Sequence, residues 1–311
     1  MKEYPMTFSE FTTRFAAEEQ CRDYLYQLRW PEGFVCPKCG ESEGAWSVSS
    51  RLYTCKRCRY QASVIAGTIF QDTRKPLKEW FTAIWWVTTQ KNGASAMGLQ
   101  RVLGLKSYTT AWTWLQKIRK AMVYPSRSKL SGTVEVDECY VGGEEHGGKR
   151  GRGTSNKSVV VVGVELLEGK NQLGRVRMAV VPDVSGESLV KKFIKDNVEP
   201  GSTVITDGWS GFSSVGSSGY AHAIPKKFEV ADPENPLPHV HMIASLLKRW
   251  LLGTHQGAVQ DTHLQAYLDE YVFRFNRRKS ADRGLLFYRL LECAMRVSPV
   301  TQDELLGHKK L

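Results

Sequence analysis

The stretch TVEVDECYV at residues 133–141 opens a run of alternating patterns that decides the fold of the second half of the chain. Apolar and polar residues alternate along it, as in a β-strand with one buried face. Two β-branched runs follow at 158–167 and 175–183, then a helical pattern at 185–198 and a fourth strand pattern at 202–209. Helical patterns fill most of the remaining chain. This order predicts an α/β domain.

Three strands, a helix, a fourth strand and then helices are the layout of the RNase H-like fold, which is the fold class we expect. In that architecture an acidic residue on the first strand lies beside one at the end of the fourth. Asp137 is in the middle of the first strand, and Asp207 is followed by Gly208, which turns the chain away. Glu135 shares a strand face with Asp137 and is the alternative acid, whereas Glu138 points the other way.

Two carboxylates brought together from adjacent strands repel each other unless cations lie between them. Magnesium takes oxygen ligands, and a pair of such ions can activate an attacking hydroxyl and stabilise a leaving oxygen. Asp137 and Asp207 are therefore the predicted catalytic ligands of Mg²⁺ or Mn²⁺. An isolated strand aspartate is often only an edge residue, and it is the pairing that favours a site.

A third ligand in such a site usually comes from a helix after the fourth strand, and the helical pattern at 241–252 contains no Glu. His241 lies 34 residues after Asp207, and Lys248 lies seven residues after His241. Seven residues are two helical turns, so both side chains share one face and Lys248 could hold a phosphate. Imidazole suits softer metals better than Mg²⁺, and a structural role for His241 is the alternative.

Two CxxC pairs, separated by fifteen residues, predict a zinc site in the first part of the chain. Four thiolates at this spacing can surround one zinc ion tetrahedrally, and with four ligands filled the ion is structural. Trp46 and Tyr53 lie between the pairs and could pack a small ribbon sheet. A redox dithiol is the alternative, although it needs only one pair. The predicted ligands are Cys36, Cys39, Cys55 and Cys58.

Residues 94–122 read as helix, glycine turn and helix, which predicts a helix-turn-helix. An apolar face forms on the second helix, and Lys117, Arg119 and Lys120 are expected to lie away from it as DNA-contacting residues. A plain helical hairpin with a solvated basic face would carry the same pattern. The predicted apolar face consists of Ala111, Trp114, Leu115, Ile118 and Met122.

The net charge of +11 favours a polyanionic partner, most commonly nucleic acid, although a basic protein without such a partner is the alternative. No apolar run approaches the length of a membrane span, and the N-terminus lacks the apolar segment of a secretory signal. The sequence thus predicts a cytoplasmic protein with no membrane partner. An odd number of cysteines, seven, argues against a disulfide framework.

Several motifs together resemble the bacterial insertion-sequence transposases that join a zinc ribbon to a DDE-type domain, the ISXO-like group. The resemblance covers nearly the whole chain, from about residue 15 to 295. Its motifs are CPKCG with CKRC, LQRVLGLKSYTTAW, VEVDECYVGG, TDGWSGF, LKRWLLGTHQGAV and YLDEYVFRFNRR.

The resemblance implies a DNA transposase that cleaves and joins strands at terminal inverted repeats, acting with divalent metal and as a homo-oligomer on DNA. Its first two catalytic acids correspond to Asp137 and Asp207. Its third position, which varies between Glu, Asn and His with a basic residue seven later, corresponds to His241 and Lys248. It also implies association with the bacterial nucleoid when bound.

The expected domains are an N-terminal helix at 1–30, a zinc ribbon at 31–70, a helix-turn-helix-like DNA-binding segment at 71–125, an RNase H-like catalytic domain at 130–295 and a tail at 296–311. Further basic residues would contact the DNA backbone, unless they are only a solvated charge run. They are Lys149, Arg150, Arg152, Arg249, Arg274, Arg277 and Arg278. The alternative functions are a DNA-binding regulator and a nuclease that cuts without joining.

Overall fold

The computed structural model describes residues 4–47, 51–124, 126–142, 157–169, 173–226, 232, 234–257 and 259–307. Two compact units divide the chain. Unit 1 comprises Met1–Pro125 with Ser280–Leu311, and unit 2 comprises Ser126–Lys279. The glycine-rich loop with Lys149, Arg150 and Arg152 lies outside the described residues.

Unit 1 begins with two helices, α1 at Phe8–Arg14 and α2 at Glu18–Arg29. The one N-terminal helix expected at 1–30 is therefore divided into two. The chain breaks after α1, and the side chain of Gln20 accepts a hydrogen bond from the Ala17 amide at the start of α2. The break leaves Phe15 buried, with its ring centroid 5.1 Å from that of Tyr24 and 4.8 Å from that of Phe81. Burial of these rings decides the break over local helix propensity.

The cysteine-containing segment of unit 1 forms a small antiparallel sheet. Its strands are β1 at Gly44–Ser47, β2 at Leu52–Cys55 and β3 at Gln61–Ala62, in the order β1-β2-β3. Trp46 pairs with Tyr53 across β1 and β2, and their ring centroids are 4.7 Å apart. The predicted packing of these two aromatic residues is confirmed.

Three helices follow the ribbon: α3 at Leu77–Thr89, α4 at Ala96–Leu103 and α5 at Tyr108–Ala121. Helix α4 ends at Gly104, whose φ of 61° suits a residue without a Cβ atom. The predicted apolar face of the second helix is buried throughout. Arg119 is the exception to the predicted basic face, because it is only 1% exposed and its guanidinium donates to the Ala94 carbonyl.

Unit 2 contains a mixed five-stranded sheet. Its strands are β4 at Thr133–Val141, β5 at Ser158–Leu166, β6 at Leu173–Val181, β7 at Thr203–Ile205 and β8 at Ala221–Ala223. The order is β6-β5-β4-β7-β8; β5 is antiparallel to β4 and β6, whereas β7 is parallel to β4 and β8. The four predicted strands are confirmed. Strand β8, only three residues long, is too short to show a period.

Helices cover both faces of this sheet. Helix α6 is a π-helix at Glu187–Ile194 that continues as an α-helical turn at Lys195–Asn197, and it packs on one face. Helices α7, at Pro238–His255, and α8, at Leu264–Asn276, pack on the other. Strand β5 supplies valines to both apolar layers by alternation. Along the described chain, we find no helix with the length and apolar character needed to cross a membrane.

Two last helices, α9 at Arg283–Ala294 and α10 at Gln302–Leu306, belong to unit 1. The sequence reading included α9 in the stretch 130–295 and α10 in the tail. Phe287 of α9 joins the aromatic core of unit 1, with ring centroids 5.5 Å from Phe11 and 5.7 Å from Phe81. An aromatic cluster formed across such sequence distances gives no periodic signal.

Candidate active site

Asp137 lies on β4, and Asp207 lies just beyond the neighbouring parallel strand β7. Strand β4 pairs with β7 from Thr133 with Thr203 to Glu135 with Ile205. Asp207 is two residues past the last paired residue, as Asp137 is on β4, and its charge acts on Asp137. Asp207 follows the end of β7, and its Oδ1 accepts a hydrogen bond of 2.9 Å from the Trp209 amide.

The surroundings of Asp137 disfavour the ionised form of its carboxyl group. It is 9% exposed, and its Oδ1 accepts a hydrogen bond of 2.9 Å from the Glu138 amide. Burial raises the pKa of Asp137 above its ordinary value, and the negative charge of Asp207 raises it further, against the opposing hydrogen bond from His241. A cation between the two carboxylates would remove both penalties.

His241 lies in the first turn of α7 and faces Asp137. Its Nε2 is 3.0 Å from Asp137 Oδ2, and its Nδ1 is 2.5 Å from Asn235 Oδ1. A hydrogen bond between one ring nitrogen and an acceptor oxygen orients the imidazole, and the other ring nitrogen then faces the carboxylate of Asp137. The sequence analysis missed Asn235, which precedes α7 in a segment without a periodic pattern.

Glu135 holds the start of α7. Its Oε2 accepts hydrogen bonds from the amides of His239, at 3.0 Å, and Val240, at 2.9 Å, and its Oε1 lies 2.6 Å from His239 Nδ1. A carboxylate at a helix N-terminus satisfies amides that lack partners within the helix. Glu135 is 4% exposed, and both of its carboxylate oxygens contact the start of α7.

Other side chains lie further along the same two elements, α7 and β4. Lys248 is exposed two turns along α7 from His241, as predicted, and Arg249 beside it is also exposed. Cys139 follows Asp137 on the same strand face, but burial raises the pKa of its thiol to about 11, so it stays protonated at neutral pH. The side chains of Asp137, Asp207 and His241 do not form a group of ligand atoms that all lie within 4.8 Å of one another.

Among the residues that the structure describes, one group of metal-ligating side chains is compact enough to share an ion. It consists of Cys36, Cys39, Cys55 and Cys58, whose Sγ atoms all lie within 4.8 Å of one another. The Cys36–Cys58 and Cys39–Cys55 sulfur pairs are each 3.6 Å apart. Zinc–sulfur bonds of about 2.3 Å in a tetrahedron imply sulfurs about 3.8 Å apart, so the donor set fits one zinc ion.

The predicted DNA-contacting residues fall into different surroundings. Lys120 and Arg249 are exposed, and Lys117 is half-buried, with its pKa lowered by burial. The burial of Arg119 overturns its prediction as a DNA contact, because its guanidinium is inside unit 1. Arg101 and Lys106, on either side of the glycine turn, are also exposed and lie off the second helix.

Three predicted basic residues at the end of α8 make contacts within unit 2. Arg274 forms an ion pair of 2.8 Å with buried Glu270. The guanidiniums of Arg277 and Arg278 lie 4.1 and 4.0 Å from the ring centroids of Phe273 and Phe275, respectively. Arg278 also donates to the carbonyls of Leu173 and Gly174. Each therefore has a packing role in unit 2.

Comparisons with known proteins cover the regions of the chain that contain these two groups of side chains. Residues 129–276 match the family described as the ISXO2-like transposase domain, and residues 16–61 match the transposase zinc-ribbon domain. A protein of Halobacterium salinarum, described as an uncharacterized protein in transposable element ISH50, is 28% identical over 282 residues. The similarity covers 84% of this chain and 91% of that protein. The first match contains Asp137 and His241, and the second contains all four cysteines.

Proposed function

We propose that this chain, which is a DDE-type transposase of the ISXO2-like insertion-sequence group, cleaves and joins DNA strands with Asp137, Asp207 and His241 as its metal ligands. The observation that carries the proposal is the meeting of three elements. Strand β4 presents Asp137, the end of β7 presents Asp207, and the first turn of α7 presents His241.

We also propose an RNase H-like fold for unit 2, and the same elements support it. The central strand β4 has an antiparallel pair on one side and a parallel pair on the other, and helices lie on both faces. The transposase-domain match begins just before β4 and ends with α8. We accordingly assign catalysis to this unit, zinc binding to the segment 31–70 and a DNA contact to the segment 71–125.

The donor set suits divalent cations such as Mg²⁺ or Mn²⁺. When bound, they would activate the attacking water or 3′-hydroxyl and stabilise the leaving oxygen. Asp137, Asp207 and His241 are the residues that would hold these cations. Lys248, on the exposed face of α7, would hold a phosphate of the DNA beside them.

The cysteine cluster would hold one structural Zn²⁺, and the basic surface would bind duplex DNA at the element ends and the target. Exposed Arg101, Lys106 and Lys120 are the contacts we favour in unit 1, with Arg249 and, from the sequence, the loop residues Lys149, Arg150 and Arg152 in unit 2. Two element ends must be handled together, so we also propose a homo-oligomer on DNA.

A strand-joining assay tests the proposed site. The protein is incubated with Mg²⁺ or Mn²⁺, DNA carrying the element ends and a target plasmid, and cut and joined products are counted separately. We expect Asp137→Asn and Asp207→Asn each to abolish both products, because each removes a ligand charge. Undiminished joining by either variant would refute the assignment.

Two comparisons make that assay specific. Glu234→Gln removes an exposed carboxylate near α7 and serves as the matched control, which should join like the wild type. Cut products without joined products in the wild type would identify a nuclease in place of a transposase activity.

A further inference from the structure

Unit 1 contains a pocket of about 400 Å³ between α2, the segment after the ribbon and the turn before α3. Four basic residues line it: Arg22, Arg51, Arg74 and Lys75. Three of them are exposed at its mouth, whereas Arg22 lies inside. None of these four belongs to the active site or to the predicted DNA contacts.

Arg22 is the unusual member of this set. It is 9% exposed, and its guanidinium lies 5.7 Å from the ring centroid of Trp46. Across the part of the chain that the structure describes, no oxygen accepts a hydrogen bond from it and no carboxylate pairs with it. Its guanidinium therefore has no acceptor among the described residues, and an anion in the pocket could accept charge-assisted hydrogen bonds from it.

The one acidic residue that lines the pocket is already engaged. Glu18 accepts hydrogen bonds from the amides of Leu77, at 2.8 Å, and Lys78, at 3.1 Å, at the start of α3. Its carboxylate therefore stabilises the start of α3 and does not form an ion pair with Arg22. The basic residues outnumber this single acid, so the pocket favours an anion.

The walls of the pocket are held in place before any ligand binds. The guanidinium of Arg29 donates to the carbonyls of Ser63, at 3.2 Å, and Val64, at 2.7 Å, which fixes the segment after the ribbon. On the other side, Thr73 Oγ1 accepts from the Lys75 amide, at 3.2 Å, and from Trp80 Nε1, at 2.9 Å. A preformed site avoids the entropic cost of ordering these segments on binding.

We propose that this pocket binds a phosphate group of the duplex DNA backbone, with Arg22 as the inner donor and Arg51 and Arg74 as the outer ones. Guanidinium forks match the geometry of phosphate oxygens and form charge-assisted hydrogen bonds with them. The contact would be independent of base sequence and would set the position of the ribbon on DNA. It rests on the proposed DNA-binding function but not on the catalytic ligands.

The test measures binding of a fluorescent duplex of arbitrary sequence by anisotropy, without added divalent metal, over a series of salt concentrations. We expect Arg22→Gln and the double variant Arg51→Gln with Arg74→Gln each to weaken binding about tenfold. We also expect the slope of log K against log salt to fall by about 0.9 for each phosphate that a variant no longer neutralises. Zinc content and the thermal midpoint check folding, and the exposed double variant keeps the test valid if Arg22→Gln is unstable.

Lys91→Gln is the matched control, because it removes one exposed charge from unit 1 outside the pocket. Equal losses with Lys91→Gln would show a net-charge effect and overturn the proposal, as would unchanged slopes in the pocket variants. Titration with inorganic phosphate alone forms a second arm, and tight phosphate binding with unchanged DNA slopes would assign the pocket to a free anion. If the wild type joins DNA strands but the pocket variants leave the salt slope unchanged, only the pocket proposal fails. If the pocket variants alter the salt slope but the wild type joins no strands, only the catalytic assignment fails.

Discussion

The carboxylate of Glu135 accepts a hydrogen bond from the amide of His239 at 3.0 Å and lies 2.6 Å from its ring Nδ1. Two residues further along the strand, Asp137 lies 3.0 Å from His241, two residues further along the helix. Both pairs are 104 residues apart in sequence. The first contact therefore sets the second, since a helix held at 239 has its next residues held as well.

Glu135→Gln should weaken metal binding without removing a ligand. The variant loses the charge that stabilises the α7 start, so we expect about 2 kcal/mol less stability and a lower metal affinity at His241. Calorimetric titration with Mn²⁺ measures the affinity. Glu165→Gln is the control, because Glu165 is also a buried glutamate and lies on the neighbouring strand β5. Its carboxylate pairs with Arg175 at 2.6 Å and does not contact α7. If both variants bind metal equally well, Glu135 has only a structural role.

Asn235→Ala should reduce metal affinity about 10- to 100-fold, the usual cost of removing a partner that orients a metal-binding histidine. The cause would be loss of the acceptor that holds His241 Nδ1. Asn235→Asp keeps an acceptor oxygen at the same position and should retain most of the affinity. The idea fails if Ala and Asp variants behave alike in Mn²⁺ titrations.

His241→Glu should shift the metal preference of strand joining toward Mg²⁺, because a carboxylate is a better ligand than imidazole for a hard cation. Joining rates in Mg²⁺ and Mn²⁺ give the ratio to compare. His255→Glu, at the far end of the same helix, is the control and should leave the ratio unchanged. An unchanged metal ratio in His241→Glu would argue against metal binding by this residue.

Asp137→Asn should stabilise the metal-free protein at neutral pH. The pKa of Asp137 is raised in the folded state, so the ionised carboxylate opposes folding above that pKa, and the neutral amide removes this cost. The gain should shrink as pH falls toward about 3.9, the ordinary Asp value, where the wild-type carboxyl is neutral too.

Thermal unfolding at several pH values, without and with Mn²⁺, measures both effects. At metal concentrations about 100 times the dissociation constant, the wild type should gain about 2.7 kcal/mol, whereas Asp137→Asn should gain little. A variant that is less stable than the wild type without metal would contradict the electrostatic argument.

One zinc ion per chain is expected by elemental analysis of protein purified without chelator. Cys39→Ser should lose this zinc and unfold the ribbon, because a small three-stranded sheet has little core of its own. Cys293→Ser replaces a cysteine outside the cluster and should keep the zinc. Wild-type protein without zinc would rule out the proposed structural site.

The sequence by itself determined the features that are local along the chain. The alternation at 133–141 and the valine runs predicted the main strands, and the CxxC spacing predicted the four-cysteine cluster, because periodicity and short spacing reflect backbone geometry directly. Asp137 and Asp207 also stood out, since each lies at a recognisable point of its strand pattern.

Tertiary structure alone decided which side chains meet across long separations. The burial of Arg119, the placement of α9 in unit 1 and the clamp of Glu135 on α7 depend on packing between distant segments. Glu135 and Asp137 have the same charge and share a strand face, so pattern alone could not assign one to the helix and the other to the site. Their contacts with His239 and His241 distinguish the two acids, because the folded chain brings a different partner to each.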